Sequence, residues 1–123
     1  MLTLAASTVL LSYHPARTAE RPDVRFEQWK VPQSTIASPG GARSGPYSVA
    51  ATDAAIWYTE SEVQPNVLVR FDLKSETMQT WPVPSRGSVV RHMVAMGDSM
   101  LWLACSGTGV VVRARVTSSD QER

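Results

Sequence analysis

The stretch GPYSVAATDAAIWYTESEVQPNVLVRFDLKSETMQTWPVP, residues 45–84, decides the fold class. Val67, Val69 and Phe71 alternate with Leu68, Arg70 and Asp72, the period of two that belongs to a strand. Upstream, PYSVAATD and AAIWYTES are rich in small, β-branched and aromatic residues, and Thr52 and Asp53 form a turn between them. MQTWPVP closes the stretch. Its Pro82 and Pro84 cannot donate to a ladder, so this segment belongs at a sheet edge or a strand end. The pattern predicts four short strands, A to D, at 46–52, 55–61, 67–73 and 78–83.

Parts of this unit recur elsewhere in the chain. FEQWKVP at 26–32 returns as MQTWPVP at 78–84, and AIWYTES at 55–61 returns as MLWLACS at 100–106. VLLSYHPAR from Val9 and GVVVRARV from Gly109 share the apolar alternation of VLVRFDLKS from Val67. The expected order is a C-like strand near 8–14, a D-like strand near 25–31, the full unit at 46–84, then strands A, B and C at 89–96, 100–105 and 109–116. A polar tail, 117–123, follows, and MLTLAAS at the start can itself be a B strand. Four-stranded units of about 45 residues are the signature of β-propeller blades. The fold class expected is therefore all-β, with four-stranded antiparallel blades in an incomplete ring. Such a set leaves edges and faces open, so further upstream blades or self-association are the expected partners.

Composition narrows the function. Lys and Arg number 12 against 11 Asp and Glu, with no dense charge block, which argues against nucleic acid and anionic lipid as partners. No run approaches the roughly 20 apolar residues of a spanning helix. MLTLAASTVLLS has some likeness to a secretion signal but lacks a basic leading region. One cysteine provides neither an internal disulfide nor a metal cluster.

The residues Ser44 to Tyr47, Trp57 to Glu60, Leu68 to Asp72 and Trp81 to Pro84 resemble, in order, the four pieces of a blade in the streptogramin B lyase (virginiamycin B lyase-like) propellers. The resemblance spans about residues 3–116, as roughly two to three C-terminal blades. It implies a seven-bladed propeller with a site near the central channel. It also implies a magnesium-dependent elimination that opens a cyclic depsipeptide, with a histidine as the base. His92 falls on that catalytic histidine and Trp102 on the tryptophan of strand B. Val90 and Ser106 stand where the family places the two glutamates near its metal. Removal of a weakly acidic α-proton needs a Lewis acid to stabilise the enolate, and magnesium prefers oxygen ligands, usually carboxylates. Valine supplies none, and a serine hydroxyl is a poor substitute.

His92 is thus the candidate catalytic residue, weighed against an ordinary histidine at the start of a strand. Glu60, Arg91 and Tyr47 are candidates for facing a channel or substrate, against capping and rim roles. His14 precedes a proline turn, where exposure is the simpler reading. Trp29, Trp81, Trp57 and Trp102 suit packing between blades, and Cys105 reads as a small buried hydrophobe with no neighbouring cation to activate it. Gly40, Gly41 and Gly45 lack the lysine of a phosphate loop and read as an interblade connection.

Three functions fit these residues. The first is a propeller fragment, catalytically degenerate or truncated, that binds a small ligand or a protein. The second is a magnesium-dependent carbon–oxygen lyase. The third is another propeller enzyme, such as a lactone hydrolase, whose site lies in other blades.

Overall fold

Alternating apolar residues bounded by turn formers organise the stretch from Pro46 to Arg115 into seven strands. They are β1 (Pro46–Ala51), β2 (Ala55–Glu60), β3 (Val67–Asp72), β4 (Met78–Pro82), β5 (Val89–Met96), β6 (Met100–Ser106) and β7 (Val110–Arg115). The computed structural model describes residues 20–32 and 45–117, and among these there is no helix. β1 to β4 form one antiparallel sheet in chain order, and β5 to β7 form a second.

The turns follow from local chemistry. After β3, the Asp72 carboxylate accepts hydrogen bonds from the Lys74 and Ser75 amides and from the Ser75 hydroxyl, while Arg70 donates to its other oxygen at 2.8 Å. These donors, led by the Ser75 amide and Arg70, hold its carboxyl down at about 2. Between β6 and β7, Gly107 and Gly109 adopt φ of 87° and 67°, which glycine reaches without steric cost.

The two sheets stack face to face. Ala55, Trp57 and Leu68 of the first sheet, with Val83 beyond β4, pack on Val90, Met93, Leu101, Leu103 and Cys105 of the second. Burying a leucine of this kind stabilises by about 1.5–3 kcal/mol. A buried polar clamp fixes the layers near the start of β5. Asn66 donates to the Ser61 and Val63 carbonyls and accepts from the Val90 amide at 2.8 Å. The Ser61 hydroxyl donates to the Val90 carbonyl at 2.7 Å, and Gln64 bridges the Ser88 carbonyl and the Gly87 amide. Beyond the far ends of β1 and β5, the Asp53 amide donates to the Asp98 carboxylate at 2.7 Å.

The strand expected near 25–31 is not formed. Residues 20–32 join no ladder, and the segment meets the first sheet by its face instead of an edge. Trp29 tilts over Phe71 with ring centroids 5.1 Å apart, and Val31 packs against Tyr58, Val63, Val67 and Val69. Trp29 and Val31 thereby find contacts, whereas Val24 and Phe26 stay exposed and the backbone joins no strand. The expected strand near 8–14, MLTLAAS, His14, Gly40 and Gly41 lie outside the described residues.

Candidate functional site

The candidate residues gather around the starts of β1 and β5, and two bulges decide where each one points. The ladder shifts between Pro46 and Val49 in β1, and between Val90 and His92 in β5. A bulge re-aims the side chains that follow it. Uniform alternation from the buried Val90 would turn His92 inward. With Arg91 as the extra residue, Met93 turns inward instead and His92 is exposed opposite Ala104, on the face away from the first sheet.

Arg91 and Tyr47 come together. The Arg91 guanidinium donates to the Tyr47 hydroxyl at 3.4 Å, and both side chains are exposed. This places one cation and one phenol on a shared rim, while His92, the next residue along β5, turns to the face away from the first sheet.

Glu60 is elsewhere. It pairs with Pro46 and Val67 and shares a face with Tyr58, on the side of the first sheet that points away from the second. Only 2% of it is exposed, and its Oε2 has no hydrogen-bond partner among the described residues. Burial disfavours the carboxylate, so the Glu60 pKa is raised. Burial, and then the charge of Glu60, push the Tyr58 phenol up to about 12. His92 and Glu60 therefore lie on opposite outer faces of the stack and do not form an acid–base pair.

The donor set does not fit a magnesium site. Val90 is fully buried, its amide and carbonyl committed to Asn66 and Ser61, and Ser106 is an exposed hydroxyl at the end of β6. Among the described residues, no group of three or more His, Cys, Asp or Glu side chains is placed to hold a metal ion. Cys105 is buried in the interlayer core.

Two features escape a linear reading of the sequence. One is Asn66, whose bonds reach 24 residues along the chain to Val90. The other is a pair of matching stacks: Arg70 lies over the Trp57 ring and Arg113 over the Trp102 ring, each at 5.7 Å. The aromatic–cation spacing across neighbouring strands was the available signal. An apolar cavity of about 300 Å³ opens between β4 and β7, lined in part by Trp57, Trp81, Val83, Leu103 and Val112. The buried Trp57 Nε1 finds no acceptor there among the described residues.

Among the described residues no helix is long and apolar enough to cross a membrane. Compared with protein families, curated proteins and solved structures, the chain matches none.

Proposed function

We propose that the two sheets are successive blades of a β-propeller and that this stretch is a binding element, not a self-sufficient lyase. The blade reading is supported by corresponding strands that share a register. Trp57 faces Arg70 as Trp102 faces Arg113, and both first strands carry a bulge near their start. The ligand or protein is held at the rim of Tyr47 and Arg91.

The observation that carries the non-lyase reading is Val90. A carboxylate at this position would be buried among Met93, Leu101 and Leu103 in place of a fully enclosed valine, at a desolvation cost of several kcal/mol. His92 alone is a base without the Lewis acid that the elimination needs.

The test is turnover of a cyclic streptogramin B depsipeptide with and without millimolar magnesium. The expected result is no ring-opened product, and a melting temperature indifferent to magnesium. Magnesium-dependent elimination that disappears in His92→Ala would overturn the proposal and establish the lyase. On the binding side, Arg91→Ala weakens capture of any ligand found by screening, by roughly tenfold for one lost charge-assisted hydrogen bond.

A further inference from the structure

Among the described residues the first sheet has a fourth strand and the second has none. β4 pairs with β3 as Met78↔Phe71, Gln79↔Arg70, Thr80↔Val69, Trp81↔Leu68 and Pro82↔Val67. Trp81 then reaches within 6.0 Å of the Trp57 ring, and Val83 enters the interlayer core. In the second sheet β7 is the edge, and among the described residues no strand pairs with its outer side. Val111 there is 66% exposed. An edge of this kind is a template for another strand.

We propose that residues 26–32 of a second copy of this chain supply that missing strand. Their sequence, FEQWKVP, matches MQTWPVP, from which β4 is built. They lie outside any strand, and Phe26 is 86% exposed.

The register can be copied because β7 holds the place of β3. Ile56↔Phe71, Trp57↔Arg70 and Tyr58↔Val69 in the first sheet correspond to Leu101↔Ala114, Trp102↔Arg113 and Leu103↔Val112 in the second. Carried onto β7, it sets Phe26 opposite Ala114, Glu27 opposite Arg113, Gln28 opposite Val112, Trp29 opposite Val111 and Lys30 opposite Val110.

Three complementarities result. A large Phe26 meets a small Ala114, where the first sheet pairs Met78 with Phe71. Trp29 covers the exposed Val111 on the same face as Trp102, as Trp81 covers Leu68 beside Trp57. Glu27 meets the guanidinium of Arg113, and opposite charges directly across two strands stabilise the pair. Arg25 would come near Arg115 at the end of the register, where Asp23 and Glu27 flank it on the same side of the strand.

The donor is another molecule because the chain's own segment is engaged on the wrong side. Trp29 and Val31 pack on the face of the first sheet that points away from the second. Donation exchanges those contacts for ladder hydrogen bonds. Two copies that donate to each other close a dimer, as in domain swapping. The inference rests on the correspondence of the two sheets and not on any ligand at the rim. Depsipeptide turnover would overturn the proposed function and leave strand exchange standing, whereas a strictly monomeric chain would do the reverse.

The experiment is sedimentation equilibrium of the full chain from micromolar to millimolar concentration. Its variants are Arg113→Glu, Glu27→Arg and the double exchange. A reversible dimer is expected, with Kd raised roughly tenfold or more in each single variant, since two like-charge pairs arise per dimer, and restored in the double. A mixture of Gln28→Cys chains with Val112→Cys chains of distinguishable mass should give a disulfide between unlike chains. A single-chain mass at every concentration overturns the proposal. So does a dimer indifferent to charge reversal, or a disulfide that forms only when one chain carries both cysteines.

Discussion

The two sheets place a tryptophan and an arginine in matching positions and give them different surroundings. Trp57 is sealed between the layers, whereas Trp102 looks outward from the second sheet and is only half-buried. The Arg–Trp stack is 5.7 Å in both. The stack therefore depends on neighbouring strands within a sheet and not on what covers the sheet. What covers matching positions differs between the sheets. Cys105 lies in the interlayer core and Glu60, at the matching position of β2, lies on a face covered in part by Trp29 and Val31. Equivalent sequence positions thus share local geometry while the neighbouring layer sets their energetics.

The contrast is broken most severely at the interface the sheets share. Leu101→Ala should cost about 4 kcal/mol in urea unfolding, since Leu101 is fully enclosed and a cavity would remain. Val94→Ala, on the open face of the same sheet, should stay within about 0.5 kcal/mol. Equal effects would mean that the open face is covered in solution.

Asn66→Ala comes next, at about 3 kcal/mol, because it strands the buried Val90 amide and removes two further bonds. Amide exchange at Val90 should accelerate in step. The stacks test the two sheets at a finer scale. Arg70→Ala should cost about 1 kcal/mol and Arg113→Ala about 0.5 kcal/mol, because Arg70 also pairs with Asp72 at 2.8 Å. Double-mutant cycles with each tryptophan would measure the two terms separately.

The last test is a slope with pH. Glu60 has a raised pKa in the folded chain, so the folded state holds its proton more tightly than the unfolded state. Its contribution is fully present below the ordinary glutamate range and is lost as pH rises through the folded value. Asp72 runs the other way: its contribution is present above 3.8 and is lost as pH falls towards 2. Glu60→Gln should flatten the first slope and Asp72→Asn the second, each read from urea midpoints across pH. A Glu60→Gln chain that keeps the wild-type slope would contradict the assignment.

Much of the strand pattern was legible because each strand carries its own alternation and its own turn formers. Val67, Val69 and Phe71 announce β3 without reference to any neighbour. Residues 26–32 were legible only by half. Their likeness to β4 marks Trp29 and Val31 as packing residues but points them to the wrong face, and a ladder also needs a free edge, which the segment's own letters do not contain. His92 shows a second limit. Alternation counted from Val90 puts it inward, and only the bulge at Arg91 turns it out and away from Glu60. Asn66 shows a third, since a polar side chain in a loop does not reveal which distant amide it will serve. Glu60 was recognisable as a candidate position, yet its 2% exposure is set by neighbours that the linear pattern does not show.

The fastening of Asp53 to Asp98 acts together with the clamp at Asn66. One tie lies near the start of β1 and β5, and the other lies beyond their ends. A pair of beams pinned once can pivot, while a pair pinned twice resists shear and rotation together. A pull applied to one sheet would load both ties at once, and the layers would part as a single mechanical event instead of peeling from one end.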